Sequence, residues 1–495
     1  MAKLAVGRPD TVHARQVVFS SIEFLWFFLP VALAAYWLAP PGWRNAVLAI
    51  ASLIFYAWGA HAIVFVFLLS LVVNYSAGLA IARYRALGRV RAERRVLWAA
   101  IVVDLVLLAI WKYTVFLASQ LDGVLGWFGS PHAIALPAIT LPIGISFFTF
   151  HAISYVVDTY RGDAEPMRRP WDFAQYMAFF PQLIAGPIVR YHQIEEQIRQ
   201  PPPRSERLWQ LADGFPRFAL GLCKKVLIAD QVGPVADAAF SHTHALTTPA
   251  AWIGALAYTV QIYFDFSGYS DMAIGMARMF GFRFPENFNR PYSSVSLTDF
   301  WRRWHMTLSR WFRDYVYIPL GGNRGTRRRT SANLLFVFFL TGMWHGAAWT
   351  FIVWGLYNGV ILVAERLSGV ARWPDERMVV VRRSVTLLLV VLGWVLFRAA
   401  TFGDAARVYG AMLPVHFGAL TPAVHNALTG EPIVALLVGL WTCLFPRWLV
   451  LGRVVEDGAW RGAALAARVA VLLILPVAAI SVAAGSFSPF LYYRF

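Results

Sequence analysis

Residues 331–366 read SANLLFVFFLTGMWHGAAWTFIVWGLYNGVILVAER. The run is apolar almost throughout, and arginines bracket it: Arg327, Arg328 and Arg329 before, Arg366 and Arg372 after. Lys and Arg gather on the cytoplasmic side of a membrane protein. A run that leaves and returns to that side must turn back, so the spacing predicts a helical hairpin in a bilayer. At ~1.5 Å per residue, the fourteen residues from Ser331 carry His345 about 20 Å into a hydrocarbon core of about 30 Å. His345 and Gly346 therefore lie near the hairpin tip, past the midplane. Ionisable groups at that depth are costly and are functional candidates. An imidazole titrating near neutrality can act as a general base. The alternative is a structural histidine bonded to a backbone carbonyl.

The rest of the chain agrees with a membrane setting. Its 495 residues would suggest about three domains in a soluble protein. Hydrophobic residues make up 58% and charged residues 14%, with a mean hydropathy of +0.55. A globular chain carries about 25% charge, so this one lacks the polar surface to face water. Disorder and collagen fail on the same numbers. Cys223 and Cys443 sit in apolar runs, cannot form a disulfide framework, and read as packing residues. The net charge of +17 would suggest nucleic acid in a soluble protein. Here the arginines fall in short loops between apolar runs, so no nucleic-acid partner is expected and the bilayer is.

Apolar runs occur at about 22–39, 45–60, 62–82, 96–118, 137–158, 249–280, 332–366, 382–398, 432–446 and 464–485. The expectation is an all-α polytopic membrane protein of about ten to twelve transmembrane and re-entrant segments. The stretch 83–95 carries six arginines against Glu93 and is read as cytoplasmic; 119–135 has neither Lys nor Arg and is read as outside. Segment 171–189 has arginines on both flanks and is broken by Pro181, Gly186 and Pro187, which predicts a re-entrant path. The stretch 283–329, with ten arginines, is the largest cytoplasmic piece. Counting back from residue 83 places Lys3, Arg8 and Arg15 outside, against the charge rule. Either the first two apolar runs form a hairpin that does not cross, or residues 1–16 are an N-terminal extension with Val17 an alternative start; 17–495 is read as a single membrane domain.

Two further stretches hold chemistry. Tyr263-Phe264-Asp265-Phe266-Ser267-Gly268-Tyr269-Ser270-Asp271 puts two carboxylates and several hydroxyls in an apolar helix. It could line a polar path or orient a histidine, or simply join helices by hydrogen bonds. Phe300-Trp301-Arg302-Arg303-Trp304-His305-Met306-Thr307-Leu308-Ser309-Arg310-Trp311 alternates aromatics and arginines. It reads as an interfacial amphipathic helix, serving as an anchor or recognising a phosphate-bearing donor. Lys224-Lys225 is expected to snorkel. His242-Thr243-His244 lacks further nearby ligands, and no metal is expected.

These pieces, in order, resemble the membrane-bound O-acyltransferase family. The matching motifs include Leu141-Pro142-Ile143-Gly144-Ile145-Ser146-Phe147, Ile184-Ala185-Gly186-Pro187, the Tyr263–Asp271 stretch and Phe300-Trp301-Arg302-Arg303-Trp304-His305. Leu320-Gly321-Gly322-Asn323-Arg324 and Gly342-Met343-Trp344-His345-Gly346 complete the set. The resemblance implies a ring of helices around a central pore. It also implies that His345 is the essential histidine and His305 the second characteristic one. It further implies an O-acetyltransferase of the bacterial inner membrane, acting on an alginate-like exopolysaccharide. The donor would be an acetyl thioester such as acetyl-CoA, with no bound cofactor, and periplasmic acetylation proteins would be partners. Asp265, Ser267, Arg303, Trp304 and Asn323 are candidates for binding substrate. The rivals are an O-acyltransferase for cellulose, peptidoglycan or teichoic acid, a polysaccharide transport subunit with His345 as gate, and a structural scaffold.

Overall fold

The structure is a computed structural model that describes residues 19–60, 63–129, 134, 139, 141–370, 373–374, 376–444, 461–484 and 490–491. The expected extension 1–16, Val17 and Arg372 lie outside the described residues.

The described residues form an all-α polytopic membrane protein. Four helices are long and apolar enough to cross a membrane: Val64–Ala86, Val90–Trp127, Trp349–Ser368 and Val379–Arg398. Their outer faces carry exposed Phe65, Val72, Val102, Leu117, Val360 and Val380, which only a hydrocarbon solvent would favour. Shorter apolar helices, Phe24–Leu38, Glu431–Leu444 and Arg468–Ala483, add to this shell. The other expected segments are less uniformly apolar, for a physical reason. Helix Thr248–Met279 runs 32 residues and is buried along nearly its whole length. It packs against Arg207–Lys224 and Asp230–Ser241, so protein rather than lipid surrounds it. Polar side chains are tolerated there because neighbouring helices satisfy them.

The broken segment takes the path its prolines and glycine suggest. Helix Pro170–Ala178 stops at Phe179, and a single turn, Phe180–Leu183, follows. Side chains from elsewhere satisfy the interrupted backbone. Ser52 Oγ accepts from Phe180 N at 3.3 Å, and Thr307 Oγ1 accepts from Ile188 N at 3.0 Å.

The hairpin also forms. Helix Arg327–His345 and helix Trp349–Ser368 pack side by side, joined by Gly346, Ala347 and Ala348. Two glycines let the backbones touch. A Cβ on Gly342 would stand 2.4 Å from Phe351 O, and one on Gly355 would stand 2.2 Å from Phe338 O. Replacing Gly355 with Leu must push the helices apart, and overpacking of this kind costs about 1–3 kcal/mol or more. The expected outcome is a thermal midpoint in detergent lowered by several degrees, with transfer falling in step; an unchanged midpoint would contradict the packing described.

The stretch 300–311 is not one amphipathic helix at the interface. Two short helices, Leu297–Trp301 and Met306–Phe312, meet at His305, which has φ 42°. Trp301, Trp304, Leu308 and Trp311 are all buried. The left-handed kink turns both flanks inward, so this segment is core rather than surface anchor.

Candidate active site

His345 is the last residue of its helix and is 4% exposed. Its ring is boxed by Trp344, Trp354 and Phe397, at centroid distances of 4.8, 5.0 and 5.2 Å. It lines a cavity of about 80 Å³ with Lys112, Ser146, Trp344 and residues 141–145.

His305 is fully buried. Its ring meets Phe266 edge to face at 4.7 Å and Trp344 at 5.9 Å. Trp344 thus touches both imidazoles. The tautomer of His305 follows from its neighbours. Thr307 N–H and Thr307 Oγ1 both donate to Asn287 Oδ1, at 3.3 and 2.9 Å. A backbone N–H can only donate, so that atom of Asn287 is the oxygen, and the amide orientation is settled by chemistry. Asn287 Nδ2 donates in turn to Ser270 Oγ at 3.0 Å. His305 Nδ1, 3.1 Å from Asn287 Oδ1, must therefore carry a proton. In the neutral ring Nε2 then bears a lone pair, and it has no hydrogen-bond partner among the described residues. A bare acceptor in a buried site is costly, and a ligand donor would relieve it.

The remaining candidates scatter. Ser267 lies beside Phe266 on the central helix, buried. Asp265 faces another way, where Lys225 Nζ donates to it at 2.6 Å and Leu491 N at 2.9 Å. Lys225 also binds Asp230, and Lys224 binds Asp271. The two lysines therefore do not snorkel; carboxylates on their own and adjoining helices hold them inside. Arg303 donates to Asp299 at 2.8 Å, one turn away. Trp304 packs against Phe288 and Trp394; Trp394 stacks on Trp354, so Trp304 stands behind the ring that boxes His345. Asn323 is on an exposed loop, where its oxygen accepts from Tyr317 Oη at 2.6 Å. The structure does not bring Asn323, Asp265 or Arg303 to either histidine.

Four residues of the site were missed. Asn287 and Thr307 cradle His305, and Ser270 holds Asn287. Of the Tyr263–Asp271 stretch, it is Ser270 that orients a histidine. Lys112 reaches in from helix Val90–Trp127 to the hairpin tip, donating to Trp344 O and, at 3.1 Å, to Ser146 Oγ. Lys112 had a readable signal, an ionisable residue within the apolar run 96–118.

The site is a buried pair of imidazoles around one indole, with one ring lining a small cavity. Residues 144–397 match the sequence model of the membrane-bound O-acyltransferase family. The chain belongs to that family: it is a multi-pass membrane acyltransferase. It is 42% identical over 508 residues to a probable alginate O-acetylase of Azotobacter vinelandii, covering 97% of this chain and 100% of that one. It is 40% identical over 529 residues to a probable alginate O-acetylase of Pseudomonas aeruginosa, with the same coverage. It is also 36% identical to a peptidoglycan O-acetyltransferase of Helicobacter pylori, over 80% of each chain. The matched segment 144–397 contains both histidines and the Asn287 cradle.

Proposed function

We propose that this chain moves an acetyl group from a cytoplasmic thioester, acetyl-CoA, to a hydroxyl on the far side of the bacterial inner membrane. This step serves the O-acetylation of an alginate-like exopolysaccharide. The observation that carries the reading is His345, placed at the hairpin tip with its ring against a cavity. The likeness to alginate O-acetylases over nearly the whole chain supplies the substrate.

In this reading the acceptor hydroxyl enters the His345 cavity, and His345 takes its proton as the oxygen attacks the thioester carbonyl. His305 positions the donor: its bare Nε2 accepts a hydrogen bond from an amide N–H of the donor arm. The reactants meet in a passage through the ring of helices, and donor binding parts the packing of Phe266 and Trp344 over His305. The acceptor is a sugar hydroxyl, or a serine on a periplasmic partner that passes the acetyl group on.

The test is the acetyl ester content of surface polymers, by mass spectrometry, in cells with and without the gene. Loss of esters from a uronate polymer supports the reading. Loss from peptidoglycan alone would assign the chain to the activity of its Helicobacter relative. His305→Ala should raise the KM for the acetyl donor about tenfold, the loss of one hydrogen bond to the donor, without lowering membrane levels; unchanged donor kinetics would reject its role.

A further inference from the structure

We propose that Lys112 is a catalytic residue, its ammonium holding the oxyanion that forms when the acceptor hydroxyl adds to the acetyl carbonyl. The proposal rests on the acetyl-transfer reading above and adds to it the group that receives the negative charge. Lys112 lies outside the segment 144–397 that matches the family.

Position comes first. Helix Val90–Trp127 starts at an arginine-rich end with Arg91, Arg94 and Arg95. Seventeen residues beyond Arg95, at ~1.5 Å each, Lys112 lies about 26 Å along the helix axis. The hairpin, counted from its own arginines, brings Trp344 to nearly the same height. The two meet: Lys112 Nζ donates to Trp344 O and lies 5.8 Å from the centre of its ring. Lys112 and His345 line the same cavity.

Charge comes second. No ion pair among the described residues involves Lys112, whereas Lys224 and Lys225 are each held by carboxylates. The partners of Lys112 are neutral, Ser146 Oγ and Trp344 O. An ammonium has three donors, so these two acceptors leave one N–H. A cation in an apolar setting without a counter-ion attracts negative charge far more strongly than it would in water. During acyl transfer that charge appears for the life of the tetrahedral intermediate.

Size comes third. The cavity of about 80 Å³ has room for several waters, and a two-carbon acyl group fits this space. The acetyl carbonyl therefore sits between Lys112 and His345.

The step balances as follows. The acceptor O–H gives its proton to His345, and the new C–O bond forms. The carbonyl π pair moves onto oxygen, where Lys112 N–H holds it. The pair then returns, the C–S bond breaks, and the departing sulfur takes the proton from His345. Lys112 neither gives nor takes a proton in this sequence.

A purely structural role predicts something different. Tyr113 Oη donates to Met343 O at 2.7 Å, so Lys112 and Tyr113 cap adjacent carbonyls at the same helix end. Tyr113 does not line the cavity. Tyr113→Phe should lower thermal stability and leave kcat within about twofold. Lys112→Met should lower kcat about a hundredfold, the scale of one oxyanion donor, with the donor KM within about twofold. Lys112→Gln keeps a donor toward Trp344 without the charge and should fall equally; Lys112→Arg should recover part of the rate. Unchanged kcat in Lys112→Met, or an equal fall in Tyr113→Phe, overturns the proposal. So does failure of both neutral variants to insert at the level of Tyr113→Phe, which would assign Lys112 to folding. The parent protein in the same assay separates the two levels: absence of acetyl transfer by it rejects the acetyl-transfer reading itself, whatever Lys112 does, whereas transfer that survives His345→Ala rejects only the general base.

Discussion

His345→Ala should abolish polymer acetylation, with transfer by the purified protein reduced about 10⁴-fold, the upper range for loss of a general base. The protein should still insert at normal levels. Burial of the ring among Trp344, Trp354 and Phe397 means that truncation leaves a gap, at a cost of about 1–3 kcal/mol. A folded variant with lowered stability but near-zero turnover is the expected pair of results. His345→Gln, which fills more of the gap without a comparable base, should recover stability and not rate. Reconstitution in liposomes distinguishes the transport alternative, in which His345 gates polymer movement. Acetyl transfer without polymer flux in the parent protein supports the enzyme. Normal acetylation in His345→Ala would remove the mechanism.

The hairpin was legible because charge and hydropathy both mark it. Arg327 to Arg329 and Arg366 fix its two ends on one side, and the length between them sets the depth of its tip. The break in segment 171–189 was legible for a related reason, since Pro181, Gly186 and Pro187 forbid a continuous helix. The cradle of His305 was not. It depends on φ 42° at a histidine, a backbone state no periodicity encodes and one that β-carbon sterics disfavour. That kink joins Asn287, Ser270 and Ile188, which lie 18, 35 and 117 residues from His305 in the chain. Among the described residues only four helices are both long and apolar enough to cross by hydropathy, because hydropathy reports contact with lipid. Thr248–Met279 contacts mainly protein, so Asp265, Ser267, Ser270 and Asp271 can occupy it without lipid exposure.

Asn287→Leu should raise the KM for the acetyl donor at least as much as His305→Ala, about tenfold or more, with a clear fall in thermal midpoint. Asn287 Oδ1 receives Thr307 N–H, Thr307 Oγ1–H and His305 Nδ1–H, and its Nδ2 serves Ser270. Leucine keeps the volume and removes every one of these. Each buried donor left without an acceptor costs about 1–3 kcal/mol, so the site must rearrange. Thr307 Oγ1 also accepts from Ile188 N, so its hydroxyl can turn and the broken segment 179–188 loses a fixed neighbour. His305 loses the acceptor that fixes its tautomer, and the proton is free to move to Nε2, turning an acceptor into a donor. Ser270→Ala provides the graded comparison. It removes the outermost link, leaves Asn287 Oδ1 in place, and should raise the donor KM by less than Asn287→Leu does. A hydrogen-exchange or nitrogen NMR measurement of the His305 ring would report the tautomer directly: Nδ1–H in the parent, a mixture in Asn287→Leu. Equal donor kinetics in Asn287→Leu and the parent would show that the protonation state of His305 is immaterial to transfer, and would leave its fixed geometry without a chemical purpose.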